Sequence, residues 1–413
     1  MIDLFKLKNQ VKHYDWGSPV DIPHLLGVEN RGLPWAELWM GVHPGGPSET
    51  EFRGRPVSLA ELIGGDAERY LGKEGAEQFG ALPFLFKLLA AAKPLSIQAH
   101  PNKEQAERGF ERENRRGIPL DAPNRNYRDA NHKPEILCAL SPFTAMCGFR
   151  EPEDISRDLQ KLLASAPASL EKGLSPLAEA LGEPGTAGAL KAFLAALFGL
   201  SAETRRELTG YIRGFRRDVE AAAGTAGKYL VRFAELYPGD PAVIAPLYLN
   251  LLELKPGEAI YLDAGMLHAY IEGFGVELMA NSDNVLRGGL TSKHIDGPEL
   301  MEVLDFSSRR PRILKPETPV PPYYTYLTSC REFALSTLRG GGEEIPFPEW
   351  GPSIVIVTQG EARVPAPGAG LTLLPGESVF IPARPPGEPL FFSGSFTAYI
   401  AAPPGPAKTA SPL

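Results

Sequence analysis

The stretch Pro256-Gly-Glu-Ala-Ile-Tyr-Leu-Asp-Ala264 returns later in the chain as Pro375-Gly-Glu-Ser-Val-Phe-Ile-Pro-Ala383. In both copies a Pro-Gly turn leads into a short run of alternating apolar residues, the mark of a half-buried strand entered through a tight turn. Turn followed by strand is the repeated step of antiparallel double-sheet barrels. Both copies lie in regions of similar strand-rich composition, so the echo predicts two jelly-roll barrels. The copies differ where chemistry matters: His268, just past the first, falls at Gly387 in the second. Only the first barrel is therefore expected to bind a metal.

Outward from the first copy, strand-like sequence is expected from about Val243 to Ile271. Residues 1–150 mix short apolar runs with Gly and Pro. Among these runs, Pro83-Phe-Leu-Phe-Lys-Leu-Leu89 and Pro94-Leu-Ser-Ile-Gln-Ala-His100 read as strands. From Glu151 to Tyr237 the texture changes to Ala, Leu, Glu and Arg. Segments such as Ala189-Leu-Lys-Ala-Phe-Leu-Ala-Ala-Leu-Phe198 space their apolar positions at three and four, which predicts helices. Lys315-Pro-Glu-Thr-Pro-Val-Pro-Pro322 then opens a last all-β stretch. The expected fold class is mainly β with a helical insert: two cupin-type jelly-roll barrels plus an α-helical domain. The strand-rich residues 1–150 and 238–314 would flank the helical block 151–237. Residues 315–403 would form a second barrel without metal ligands, and 404–413 a Pro/Ala/Ser-rich disordered tail.

Composition narrows the function classes. With 42 basic and 50 acidic residues the formal charge is −8, and no basic run is sustained. Nucleic acid and anionic membrane are poor default partners for such a chain. No segment approaches the roughly 20 apolar residues of a membrane span, and the N-terminus lacks the apolar core of a secretory signal. Cys138, Cys147 and Cys330 form no CxxC pair and no disulfide framework. A soluble, cytoplasmic protein is expected, a monomer by first choice with an oligomer left open. If its substrate is anionic, the net negative charge demands a local positive site.

In a strand, alternate side chains share a face. Ser96, Gln98 and His100 therefore point one way, Lys133 and Glu135 form a second such pair, and His268 and Tyr270 a third. Each residue taken singly has an ordinary structural use. Together, two imidazoles, a carboxylate and an amide oxygen make a four-ligand zinc set, with room for water or substrate. Downstream, Glu277, Asp283, Asn284, Arg287, Lys293 and His294 crowd polar groups into an otherwise apolar, Gly-rich stretch, as a ligand-presenting loop does. No GxxxxGK[ST] or GxGxxG segment stands in a strand-to-helix context, which argues against a nucleotide cofactor.

Four segments, taken in order, closely resemble type I mannose-6-phosphate isomerases. They are Ala36-Glu-Leu-Trp-Met-Gly-Val-His-Pro44, Gln98-Ala-His-Pro-Asn-Lys-Glu-Gln-Ala106, Tyr127-Arg-Asp-Ala-Asn-His-Lys-Pro-Glu135, and the stretch from His268-Ala-Tyr270 through Lys293. Tyr14-Asp-Trp-Gly17 also fits. The resemblance spans roughly the first 300 residues, and its one mild departure is Gly288, where Ala is more usual. It implies one zinc ion per chain at Gln98, His100, Glu135 and His268, and a catalytic arginine at Arg287. It also implies a substrate pocket drawing on Trp16, Glu37, Lys87, Ser96, Lys133, Tyr270, Glu277, Asp283 and Lys293.

The implied reaction interconverts mannose 6-phosphate and fructose 6-phosphate by moving a proton between C1 and C2 through a cis-enediol(ate). Glu277 is the first choice for the base, because a desolvated carboxylate is tuned towards neutral pH; Lys133, His132 and Asp283 are its rivals. Arg287 would stabilise the developing negative charge, and Ser96, Lys87 and Lys293 would supply the positive site for phosphate. Two other classes compete. A non-catalytic sugar-binding cupin would not need Arg287 and the charged row. An iron cupin oxygenase would be expected to bring more histidines to the site.

Overall fold

The computed structural model describes residues 3–404 other than 183–184, 321, 349–350, 366–369 and 386. The tail expected to be disordered lies outside the described residues from 405 onwards.

The strand Phe84–Ala91 is buried along its whole length, as a near-continuous apolar run requires. Its two faces serve different cores. Phe84, Phe86, Leu88 and Ala90 pack with Ile136, Cys138, Ile354, Ile356 and Phe380. Leu89 and Ala91 pack with Leu137, Ala139, Phe143 and Tyr270 inside the first barrel. Lys87 shares the parity of the second set, so the two-residue period turns its ammonium to the barrel interior.

Phe84–Ala91 pairs antiparallel with Glu37–Gly41 and with the second half of His268–Ala280. That half also pairs with Glu135–Ala139, which in turn pairs with Ala259–Leu262. The first half of His268–Ala280 pairs instead with Ile97–Ala99 and Phe143–Phe149. Leu286–Gly289 adds to Ile97–Ala99, and Leu249–Leu254 to Phe143–Phe149. One 13-residue strand thus runs through both sheets of the barrel, with a register shift between Tyr270 and Glu272. Beside that shift, Gly273 has a φ of +132°, and a Cβ there would lie 2.7 Å from the Phe143 Cα. Only glycine accepts both the angle and the approach.

Among the described residues six helices lie between Pro152 and Leu236, the first Pro152–Leu163 and the last Thr225–Leu236. Leu170, Leu174, Leu177, Leu190, Phe193 and Leu197 form one core with Ile97, Ala99, Met146, Ala269 and Ile271. The helices therefore cover the outer face of the sheet whose inner face carries Gln98 and His268. Each fully buried Leu contributes about 1.5–3 kcal/mol relative to exposure.

Helix also occurs within residues 1–150, where the runs singled out from the sequence were strands, over Leu59–Gly65, Ala67–Phe79 and Lys103–Arg115. Ser58 with Glu61 and Asn102 with Gln105 form capping boxes at two of these starts. The strand expected from Val243 begins only at Leu249. Asp240 caps a 3-10 turn over Pro241–Ile244, which runs into the helix Ala245–Tyr248. Asp as cap with Pro in first position outweighs the β-branched Val243 and Ile244.

Both members of the internal echo fold alike. Gly257 and Gly376 have φ of +85° and +82°, and each turn enters a strand, Ala259–Leu262 or Ser378–Ile381. The C-terminal sheet runs Ser378–Ile381, Ser353–Gly360, Ser395–Ala402, Ala334–Gly341, Tyr323–Tyr326 and Glu317–Val320. Its interior is apolar, with Leu338, Val355, Val357, Phe392 and Ile400 packed together. Gly387 stands in an exposed turn. Phe5–Leu7 pairs with Ser378–Ile381. The first strand thus joins the C-terminal sheet, although the expected division groups it with residues 1–150. Among the described residues no single helix is long and apolar enough to cross a membrane.

Candidate metal centre and adjoining cleft

Strand register brings together residues far apart in sequence. His268 is the direct partner of Gln98 across one strand pair, and Arg287 is the partner of Gln98 across the next. Arg287, Gln98 and His268 therefore stand side by side on three neighbouring strands. Glu135 arrives from the opposite sheet, as the first residue of Glu135–Ala139 and the partner of Met279.

Ligand atoms of His100, Glu135 and His268 lie within 4.8 Å of one another, and all three residues are buried. Nε2 of His100 is 3.4 Å from Oε1 of Glu135, and Nε2 of His268 is 3.6 Å from Oε2. The other ring nitrogens are already committed. His100 Nδ1 lies 2.7 Å from the Asn284 carbonyl and His268 Nδ1 2.8 Å from the Met266 carbonyl. A carbonyl only accepts, so Nδ1 carries the proton in each ring and Nε2 presents a lone pair. Two lone pairs then face a carboxylate, acceptor against acceptor. Nε2 of His100 and Oε2 of Glu135 are buried without a hydrogen-bond partner. A cation at this point would satisfy the whole set, and carbonyls that fix the imidazole tautomer are the usual outer support of a metal site.

The electrostatics agree. Burial pushes His100 down to about 4, so the ring is neutral and ready to ligate. Burial alone would raise Glu135, but Lys133 and His100 hold it well below the usual carboxylate range. The Gln98 amide nitrogen lies 3.4 Å from His268 Nε2; a flip of the amide, which changes no other heavy-atom position, presents its oxygen instead. Two imidazoles, a carboxylate and an amide oxygen suit zinc.

Beside this centre opens a cleft of about 370 Å³, lined in part by Tyr14, Trp16, Glu37, Lys87, Ser96, Gln98, Lys133, Glu135, Tyr270, Glu277, Arg287 and Lys293. Nearly every residue expected at the site thus lines one cavity. Its floor is a buried charge network. Lys87 Nζ is 2.8 Å from Glu277 Oε2 and 3.7 Å from Glu37 Oε1, and Glu37 also accepts from the Trp39 indole at 2.6 Å. Burial would lower Lys87, but Glu277, Glu37 and Glu135 hold it protonated above its ordinary range. Glu277 is shifted the other way: burial raises it, Lys87 opposes, and Glu135 and Glu37 add to the rise. Burial and the Glu277 charge keep the Tyr270 phenol protonated. Lys133 Nζ sits 3.1 Å from Glu135.

The wall is different. Arg287 and Lys293 have no carboxylate partner among the described residues, and both are lowered by burial and by neighbouring cations, Arg128 among them. Positive charge is thus concentrated locally on this wall of an acidic chain. Lys87, expected to help hold phosphate, has its charge matched by two carboxylates instead.

Two residues expected at the site belong neither to the metal centre nor to the cleft lining. His132 turns to the C-terminal barrel and lies 2.8 Å from Glu332. Asp283 turns its carboxylate towards His43, 3.4 Å away, because its backbone N–H is held by Asp129 and the turn presents the side chain to that ring. Sequence reasoning missed Lys93, Tyr237 and Thr291, which line the cleft. It also assigned no role to Asn284, whose carbonyl orients His100 while its side chain accepts from Arg128 N–H and donates to the Asp129 and Asn131 carbonyls. Lys93 follows an apolar run with no periodic signal. Asn284 lay within a segment read only as a ligand-presenting loop.

Residues 4–152 match the family model for the catalytic domain of type I phosphomannose isomerase. Over 382 residues the chain is 39% identical to mannose-6-phosphate isomerase of Escherichia coli K12, covering 92% of this chain and 95% of that one. It is 35% identical over 411 residues to the enzyme of Bos taurus, with coverage of 92% and 94%. Among solved structures, a zinc-bound mannose 6-phosphate isomerase superposes with a TM-score of 0.87 at 37% identity, covering 97% of this chain and 99% of that one.

Proposed function

The chain belongs to the type I mannose-6-phosphate isomerases, and from that membership we propose how its own residues carry out the reaction. The enzyme interconverts mannose 6-phosphate and fructose 6-phosphate and uses zinc. The observation that carries the residue-level reading is the pairing of a buried, lone-pair-lined metal centre with a cleft whose one wall holds unpaired cations.

Gln98, His100, Glu135 and His268 would hold the metal. When bound there, zinc supplies Lewis-acid polarisation of the sugar oxygens. Lys293, Lys93 and Ser96 bind the phosphate, the two ammonium groups serving as the charges that the acidic chain otherwise lacks. Trp16 and Tyr270 flank the sugar. Glu277 shuttles the proton between C1 and C2: it is buried, raised towards neutrality and held by Lys87 in one orientation. Arg287, one strand from Gln98, faces the oxygen on which charge grows as the cis-enediolate forms. Lys133 keeps Glu135 ionised and is the alternative proton carrier. His132 and Asp283, turned away from the cleft, are left with support roles.

The organisation proposed on the same footing is a barrel of residues 1–150 and 238–314 interrupted by the helical domain 151–237, followed by a metal-free barrel over 315–403. The enzyme is proposed to act as a cytoplasmic monomer. A sugar-binding module without catalysis leaves Glu277 and Arg287 without a task, and an oxygenase is not favoured by a site with two histidines. A coupled assay with mannose 6-phosphate and fructose 6-phosphate, with and without zinc, tests the reading. Turnover in both directions that depends on the metal is expected; full turnover of metal-free protein would overturn it.

A further inference from the structure

The segment that returns from the helical block to the first barrel, Tyr237-Pro-Gly-Asp240, touches both walls of the cleft. The Tyr237 hydroxyl donates to the Pro94 carbonyl at 3.1 Å, within the loop that carries Lys93 and Ser96. Three residues on, the Asp240 carboxylate accepts from the Leu290 N–H at 2.7 Å and also faces the Thr291 N–H. Those amides belong to the turn between Arg287 and Lys293.

That turn is strained. Leu290 has a φ of +52°, a left-handed conformation that a branched side chain adopts only where its surroundings impose it. Asp240 supplies the constraint. Its other oxygen accepts from the Ala242 N–H at 2.8 Å, which ties the carboxylate to the start of the 3-10 turn. The backbones meet closely: a Cβ on Gly289 would lie 2.1 Å from the Ala242 Cβ. Arg232 strengthens the opposite side, donating to the Ala92 carbonyl at 2.9 Å.

Resting on the reading that phosphate lies between the Lys93–Ser96 loop and the Arg287–Lys293 turn, we propose that Tyr237 and Asp240 are positioning residues that set the separation of these two walls. The helical block thereby governs affinity for the phosphorylated end of the sugar without supplying a charge to it.

The test uses the full-length, zinc-loaded enzyme and the variants Asp240→Asn, Tyr237→Phe and Lys293→Ala. Asp240→Asn and Tyr237→Phe should each raise KM for mannose 6-phosphate, and the inhibition constant of inorganic phosphate, by about tenfold. Turnover should stay within about threefold of wild type and zinc content should not change. The double variant Asp240→Asn/Lys293→Ala should fall short of the product of the single effects, because both act through one turn. Wild-type KM and phosphate inhibition in both positioning variants, with only the melting temperature lowered, would reduce them to structural residues and overturn the proposal. If Lys293→Ala leaves phosphate inhibition unchanged, the phosphate reading itself fails and the proposal falls with it. Tyr237→Phe removes only a hydroxyl and keeps the test decisive if Asp240→Asn does not fold.

Discussion

Glu277 and Lys87 stand directly opposite each other on two antiparallel strands, with Oε2 2.8 Å from Nζ, and both are nearly inaccessible to water. Glu277→Gln keeps the shape and removes the base. Turnover should fall by about 10²–10⁴-fold, and exchange of the C2 proton with solvent should stop. NMR of mannose 6-phosphate in deuterated buffer checks this; continued exchange would pass the proton to Lys133.

Arg287→Ala removes a cation that no carboxylate balances among the described residues. The fold should tolerate it, since nothing buried loses its partner. Turnover should drop by roughly 10²–10³-fold while zinc content stays at one per chain. Steady-state kinetics beside metal analysis separates the two effects, and wild-type turnover would remove Arg287 from the chemistry.

His100→Ala opens the metal centre and leaves the Glu135 carboxylate buried between Lys133 and one imidazole. Zinc should be lost on dialysis, and isomerase activity with it. Chelation of the wild-type enzyme should lower its melting temperature, because a ligand bound only to the folded state stabilises it by mass action. Calorimetry with and without chelator reads both consequences.

Glu332 joins the C-terminal barrel to the loop ahead of the metal strand. Burial would raise it, but the hydrogen bond and charge of His132 push it down to about 2. A carboxylate depressed in the folded state stabilises at pH above its unfolded value. That contribution is lost as pH falls from about 4.5 towards 2. Glu332→Gln should therefore be less stable than wild type by roughly 1–2 kcal/mol near pH 5, allowing for partial exposure. The gap should narrow as the pH falls below about 4.5 and close towards pH 2 in urea titrations.

The alternation of Ser96, Gln98 and His100, and of Lys133 and Glu135, was legible in the sequence because a two-residue period decides which face a side chain takes. That these faces meet was not. The pairing of His268 with Gln98 joins residues far apart in the chain, and local pattern carries no information about such register. The family resemblance bridged that gap at the level of expectation. Turn chemistry accounts for other misses. Asp240-Pro241 is a helix-start signal that hides among β-branched residues, and its bond to Leu290 is purely tertiary. The helices over Leu59–Gly65 and Lys103–Arg115 had capping boxes that strand-like neighbours obscured. Asp283 and His132 had the right chemistry for the cleft, but neighbouring partners turn both aside.

The pairing of Phe5–Leu7 with Ser378–Ile381, reinforced by Lys6 against Glu377 at 2.6 Å, joins residues more than 370 positions apart. Such a contact closes a loop of more than 370 residues, and closure of that kind is late in folding. During synthesis Phe5–Leu7 is made long before Ser378–Ile381, its ladder partner. The N-terminal strand should accordingly acquire hydrogen-exchange protection after the catalytic barrel does.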